Sequence, residues 1–349
     1  MQLIRKRAFA RAGLVGNPSD GYHGKTISAV VRNFWAEVTL YEWDQIEIVL
    51  SQEDRSRFRS IAELAHDVKL HGYYGGVRLV KATIKRFFEY CRANDIPLHD
   101  RNFSIRYETN IPRQLGLAGS SAIIVATLRC LMEFYGVEIA RRVQPSLVLS
   151  VETDELGIAA GLQDRVIQVY EGVVYMDFSE DRTDIIHGFP CGTYEPLDPA
   201  LLPPLYLAFN PKISEPTEII HNDLRGRYRR GDPDVLAAMK RFAALTDDAR
   251  DALLQRDAER FSKIMDANFD LRQSILNLAP DHVEMVRRAR KAGASAKFAG
   301  SGGAIVGCVL DSPTFERLKD EMAAIGCRVI RPQITPEMLP SQEPASSRS

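Results

Sequence analysis

The chain is poor in cysteine and arranges none of it in pairs: Cys91, Cys130, Cys191, Cys308 and Cys327 are scattered, and no C-x-x-C occurs. That excludes a disulfide scaffold or a zinc site built on cysteines and suits a reducing compartment. The seven histidines are dispersed too, which speaks against a protein-bound transition metal. Charge of either sign is not in excess, with 45 Lys and Arg against 46 Asp and Glu, net −1; nucleic-acid binders normally carry a basic surplus. No stretch approaches the roughly 20 apolar residues of a membrane span. The basic opening M-Q-L-I-R-K-R has no apolar core after it, so it does not read as a targeting peptide. A cytoplasmic protein with no nucleic-acid or membrane partner is expected. There is no internal repeat.

What is present suits a globular protein of two domains or one large one: 349 residues, 45% hydrophobic and 26% charged, leave ample apolar material for a core. Residues 27–40 and 45–50 are rich in β-branched and aromatic residues and read as strands, as does the alternating F-S-I-R-Y-E-T at 103–109. In 75–94, Val77, Val80, Ile84, Phe87, Phe88 and Cys91 form one helical stripe, opposite Arg78, Lys81, Lys85 and Arg92; a solvated face is the expectation for those four. The proline-rich G-F-P-C-G-T-Y-E-P-L-D-P-A-L-L-P-P, from 188 to 204, reads as a connector. After it come a strand at L-Y-L-A-F-N, helices near 233–246 and 248–277, and a helix with Asp281 as N-cap and Gly293 as stop. A strand at A-I-V-G-C-V-L, a helix opened by Pro313 and ended by Gly326, and a strand at C-R-V-I-R-P complete the chain. The expectation is α+β, with domains at 1–188 and 205–335 and a disordered tail at 336–349.

One stretch stands out. Q-L-G-L-A-G-S-S-A-I, residues 114–123, opens a helix that is apolar on nearly every side, with Ile123, Ile124, Val125, Leu128, Leu131, Met132, Phe134 and Tyr135. A helix starts with N–H groups that have no partner and with partial positive charge. Burying them bare is costly, and flanking glycines let an external group come close. Two readings fit equally: an anion such as phosphate held at the helix start, or Ser120 as a cap with Gly116 and Gly119 making a turn. No lysine follows Gly119 as in G-x-x-x-x-G-K-[ST], and Ile123 stands where a nucleophile elbow needs glycine. No acidic residue about 20 positions on completes a dinucleotide fingerprint.

Phosphoryl transfer also needs a metal clamp and a group that orients the attacking hydroxyl. Glu152 and Asp164 are twelve positions apart (164 − 152), with Gly157 and Gly161 between them. Glu152 ends a helical run, and Asp164 starts another apolar stretch. Such a pair could converge on one pocket, one carboxylate beside Mg²⁺ and one beside the acceptor, although an arbitrary pair of acids is more often on the surface.

At this point the chain resembles the GHMP kinases. R-A-G-L-V-G-N-P-S-D-G-Y (11–22) is similar to their substrate-side motif, P-R-Q-L-G-L-A-G-S-S-A (112–122) to their phosphate loop, and A-K-F-A-G-S-G-G-A-I-V-G-C (296–308) to their C-terminal glycine loop. Ala118 lengthens the phosphate loop by one residue; with N-P-S-D at 17–20, G-L-Q-D-R at 161–165 and V-Y-M-D-F at 174–178, this resembles the glucuronokinase branch. The resemblance implies a two-domain GHMP kinase fold, with an N-terminal ribosomal-protein-S5-like domain and a C-terminal ferredoxin-like domain. It implies an ATP- and Mg²⁺-dependent sugar 1-kinase acting on the anomeric hydroxyl of D-glucuronate, as a monomer or homodimer.

Site roles follow from the same resemblance. Gly116, Leu117, Ala118, Gly119, Ser120, Ser121 and Ala122, with Gly300, Ser301, Gly302 and Gly303, would surround the ATP phosphates. Ser121 and Glu152 would carry Mg²⁺. Asp164 would receive or orient the hydroxyl proton, and Arg11 would stabilise it. Asp20, Asn17, Lys25 and Arg113 would face the sugar, though Lys25 could equally mark a strand entry. Arg113, Arg165 and the cluster Arg225, Arg227, Arg229 and Arg230 are candidates for an acceptor carboxylate, with surface charge the alternative for each. Neutral sugars such as galactose or arabinose, less so mevalonate, are competing acceptors. A non-catalytic sensor of sugar and nucleotide is the competing class; it predicts loss of Glu152 or Asp164, and both are present.

Overall fold

β1 (Leu3–Val15) runs antiparallel to the long β2 (Lys25–Trp43), with Arg11 opposite Val30 and irregularities at Phe9/Ala10 and Gly13/Val15. The structure is a computed structural model that describes residues 3–49, 75–211 and 218–336. Long β-branched runs favour such a pleated, half-buried pair. The first sheet has the order β3-β4-β2-β5-β8, with β1 on β2; its further members are β3 (Glu47–Ile48), β4 (Asn102–Thr109), β5 (Val173–Asp177) and β8 (Thr193–Leu197). β6 (Asp184–Ile186) and β7 (Phe189–Cys191) form a separate hairpin. The second sheet is antiparallel, β10-β11-β9-β12, from β9 (Leu205–Phe209), β10 (Lys297–Phe298), β11 (Ala304–Cys308) and β12 (Arg328–Ile330).

The helices are α1 (Gly76–Ala93), α2 (Gly119–Tyr135), α3 (Gln144–Ser150), α4 (Gln163–Tyr170), α5 (Glu218–Arg229), α6 (Pro233–Leu254), α7 (Ala258–Ile275), α8 (Pro280–Lys291) and α9 (Ser312–Ala323). α2 packs on β1 and β2 with α1 and α4 against it, and every residue from Ser121 to Leu128 is buried. A helix apolar all round belongs in an interior, and each large side chain it buries contributes roughly 1.5–3 kcal/mol. One core runs from this layer into the second sheet, through Leu205, Leu207 and Phe209 to Leu245 and Phe261. The two sheets therefore share apolar packing, and the mixture of helices and sheets is the α+β architecture expected.

Several expectations need correction. The proline-rich segment is not a bare connector: β7 and β8 lie in it, and β8 pairs with β5 from Val173↔Leu197 to Asp177↔Thr193. As an edge strand, β8 can carry Pro196, which lacks an N–H. The break expected near 246 is absent: α6 runs unbroken from Pro233 to Leu254, and the Thr246 hydroxyl donates back to the Phe242 carbonyl at 2.8 Å within it. The chain turns instead at Arg256, with φ 55°, and Asp257 caps α7. Ala279, not Asp281, is the N-cap of α8; Pro280 takes its first position and Asp281 falls in the first turn. Residue 50 of the expected 45–50 strand, and the tail from 337 on, lie outside the described residues. Among those described, no helix is long and apolar enough to cross a membrane. All five cysteines are free and buried.

Candidate active site

The three motif stretches meet on one guanidinium. β1 holds Arg11 with its side chain 6% exposed. Its Nε donates to Asp164 Oδ1 at 2.6 Å, and its Nη1 donates to the carbonyls of Gly116 at 2.5 Å and Ala299 at 3.0 Å. Arg11 thus ties the candidate acid, the phosphate loop and the glycine loop together. Such close approach demands glycine: a Cβ on Gly300 would stand 2.1 Å from the Gly116 oxygen, and Gly116 itself has φ +62°.

At the start of α2 one of the two sequence readings, the Ser120 cap, falls away. Ala118 is its N-cap, in the left-handed conformation (φ 64°, ψ 46°), and no side chain caps the helix. Positions 118–120 are only half-buried, so the first-turn amides and the positive end of the helix are open to an anion. The capping role considered for Ser120 is not taken up: its hydroxyl donates to Glu152 Oε1 at 2.7 Å. Ser121, expected beside Glu152, is fully buried, and its hydroxyl turns back to the Ala118 carbonyl at 3.3 Å. Helical geometry turns successive residues to different faces, so only one serine of the pair can face the carboxylate.

Glu152 lies 1% exposed in a widened helical turn, Val151–Glu155, that follows α3. Widened turns of this kind often mark functional positions. Arg165 is no surface charge: it is buried, and its Nε donates to Glu152 Oε2 at 2.9 Å, with Nη2 on the same oxygen. Its Nη1 donates to the Gly161 carbonyl at 2.8 Å and stands 3.4 Å from Asp164 Oδ2. Burial works against its charge, but Glu152 and Asp164 outweigh that and hold the guanidinium protonated.

Asp164 sits in the first turn of α4, where partial positive charge favours a carboxylate. Asp20, in the short turn Ser19–Gly21, accepts the Gln163 N–H at 3.3 Å. Burial, then the nearby charge of Asp164, push the Asp20 carboxyl up to about 6 against the pull of Arg11 and Arg165. Gly161 makes room for it, since a Cβ there would lie 2.2 Å from Asp20 Oδ2.

Two further expected sugar contacts are engaged elsewhere. Asn17 is buried, and its Oδ1 accepts from Lys297 Nζ at 2.7 Å. Lys25 begins β2 and pairs with Asp247 of α6 at 2.9 Å and Asp177 at 3.5 Å, the strand-entry alternative. Arg113 is exposed.

The glycine loop has supports that sequence reasoning missed. Arg272 of α7 is buried and donates to the carbonyls of Gly300 at 2.7 Å and Ser301 at 3.1 Å. Burial, then the charge of Arg11, bring it down to about 10. Lys297 is 1% exposed and donates to the Gly13 carbonyl at 2.6 Å and the Phe298 carbonyl at 2.8 Å, besides Asn17. Burial, followed by the charges of Arg272 and Arg11, hold its ammonium well below the usual lysine range. A lysine inside apolar A-K-F-A was a readable signal for Lys297; nothing local distinguishes Arg272. A surface cavity of about 430 Å³, lined by Arg86, Tyr90, His187 and Phe189 among others, lies behind the Glu152 turn, and no motif residue lines it.

The family model described as "GHMP kinases N terminal domain" matches residues 78–172, the span that holds the phosphate loop, Glu152 and Asp164. Glucuronokinase 1 of Arabidopsis thaliana is 45% identical over 325 residues, covering 91% of this chain and 88% of that protein. Probable glucuronokinase 2 of the same plant is 43% identical, covering 98% and 94%. Among solved structures, Lactococcus lactis galactokinase complexed with galactose superposes with a TM-score of 0.74 at 14% identity, covering 95% of this chain and 94% of that one; this likeness speaks to the fold. At such identity over nearly the whole length, the chain belongs to the GHMP kinase family, in its glucuronokinase branch.

Proposed function

We propose that this protein transfers the γ-phosphoryl group of ATP to the anomeric hydroxyl of D-glucuronate. The observation that carries the reading is the Arg11 bridge: the candidate acid lies 2.6 Å from a guanidinium that also bonds the phosphate loop and the glycine loop. The relatives named glucuronokinase supply the acceptor.

The uncapped start of α2 binds the triphosphate through its amides, and Gly300–Gly303 close over the same anion. Asp164 accepts the sugar hydroxyl's proton or orients it, while Arg11, paired with that carboxylate at 2.6 Å, offsets charge on the transferring group. Asp20 receives hydrogen bonds from the sugar. The donors fit Mg²⁺, which takes hard oxygen ligands, commonly one or two carboxylates plus substrate phosphates. Ser120 and Glu152 are the residues that would hold it, with Ser120 in place of Ser121. When bound, the ion would neutralise charge between the β- and γ-phosphates. Arg165 occupies Glu152 Oε2, so Oε1, shared with Ser120, is the oxygen left for the metal. In this reading the part up to residue 188 carries the phosphate loop, metal ligands and acid, and residues 205–335 contribute the glycine loop; the reaction is cytoplasmic.

ADP release from purified protein, measured across uronates, neutral hexoses, pentoses and mevalonate, tests this directly. Turnover of glucuronate well above galactose and arabinose is expected. A blank across every acceptor, with ATP bound and the protein folded, overturns the enzymatic reading; equal turnover of glucuronate and glucose overturns the acceptor.

A further inference from the structure

A uronate differs from a neutral hexose by one carboxylate, and a carboxylate held in a cleft needs a cation, ideally the fork of an arginine. Most cations at this site are already committed. Arg11 serves Asp164, Gly116 and Ala299. Arg165 is taken by Glu152 and Gly161. The terminal nitrogens of Arg272 are held by Gly300 and Ser301, and the Lys25 ammonium by Asp247 and Asp177. Lys297 is enclosed by three oxygens.

α5 brings two more. Its Tyr228 packs on Tyr22, two residues beyond Asp20, with ring centroids 4.7 Å apart. Arg225 precedes Tyr228 by three positions and Arg229 lies four beyond Arg225, so these residues share one helix face. Arg227 is held apart, by Asp232 at 2.8 Å and the Ile275 carbonyl at 2.5 Å. Arg225 is half-buried and Arg229 exposed, and among the described residues neither makes a hydrogen bond or ion pair. The phenol of Tyr22 feels the charges of Arg225, Asp20 and Arg229 together. A half-buried guanidinium with no anion among the described residues retains an unpaid desolvation cost that an arriving carboxylate relieves.

We propose that Arg225, supported by Arg229, pairs with the carboxylate of the sugar acceptor and so sets the preference for a uronate over a neutral hexose. The inference rests on the glucuronokinase reading above. In glucuronate the anomeric carbon and the carbon bearing the carboxylate flank the ring oxygen. A sugar with its hydroxyl at Asp164 and its body against Asp20 can therefore present the carboxylate to the wall formed by Tyr22 and α5. Both arginines act as specificity residues, apart from the phosphoryl-transfer machinery.

The test compares wild type, Arg225→Gln, Arg225→Lys and Arg229→Gln in steady-state kinetics with glucuronate and with glucose. Losing a charged hydrogen bond predicts a fall of about 10- to 100-fold in kcat/KM for glucuronate in Arg225→Gln, mostly through KM. The KM for ATP and the rate on glucose should stay level, Arg225→Lys should recover part of the loss, and the exposed Arg229→Gln should lose less. Unchanged glucuronate KM in both Gln variants, or equal losses on glucuronate and glucose, would overturn the proposal. A wild type inert toward glucuronate would instead sink the underlying acceptor reading.

Discussion

Replacing Asp164 by Asn separates chemistry from packing, because the amide keeps the shape of the side chain and loses its charge. Asn retains an oxygen that can accept from Arg11 Nε, now at 2.6 Å from the carboxylate. It cannot take a proton from the sugar hydroxyl, and general-base groups typically contribute about 10²- to 10⁴-fold. A fall of that size in kcat is expected, with ATP affinity changed little, since the α2 amides and the glycine loop remain. Stability should drop as well. The Arg11–Asp164 pair is 6% and 19% exposed at its two side chains, and downgrading a charged hydrogen bond there costs about 1.5–3 kcal/mol. Arg11 retains the Gly116 and Ala299 carbonyls, which argues for the lower half of that range. The assay pairs initial rates of ADP release with ATP titration and urea unfolding of the same preparation. An Asn variant with wild-type kcat would remove Asp164 from the reaction. A variant with intact stability but no ATP binding would show that the Arg11 bridge organises the nucleotide site rather than the acceptor.

Asp20 carries a pH signature of known sign. Its folded-state value of about 6 lies above the ordinary 3.8, so between these values the native protein binds more protons than the unfolded chain and loses stability as pH rises. Asp20→Asn should therefore stabilise the protein by about 2–3 kcal/mol above pH 6, where the full penalty applies, and the gain should vanish below about pH 4. Denaturant unfolding at pH 4, 5 and 7.5 reads this out; a gain that grows toward acid pH refutes the assignment. Separately, Ser120→Ala should raise the Mg²⁺ concentration needed for half-maximal rate several-fold, about 1 kcal/mol, while Ser121→Ala should leave it unchanged. The reverse pattern in a Mg²⁺ titration would restore the metal role to Ser121.

Much of the site was legible before any coordinates, because its chemistry lies in short contiguous stretches. The glycine and serine pattern at 116–121 singled out a helix start open to two readings, an anion site or a capped turn, and the all-round apolar run after it announced a buried helix. Both follow from backbone geometry within a few residues. Glu152 and Asp164 could be read from their separate elements as a pair able to converge, with surface acids the commoner alternative; a spacing of twelve does not by itself bring two side chains together, and the family resemblance added their separate roles. The strands missed within 188–204 have a related cause: prolines signal loops locally, yet an edge strand tolerates them once a neighbour such as β5 supplies the pairing.

Local order thus belonged to the sequence: periodicity, turn chemistry and helix starts act over a handful of residues and need no partner. Partnership belonged to the fold. Arg11 meets Ala299 across a chain separation of 288, and Lys297 meets Asn17 across 280. Whether Lys25 faces sugar or Asp247, which serine turns to Glu152, and how Arg272 comes to hold the glycine loop were decided only by tertiary packing. Charges in water are nearly indifferent to distant partners; burial makes each of them take a specific one.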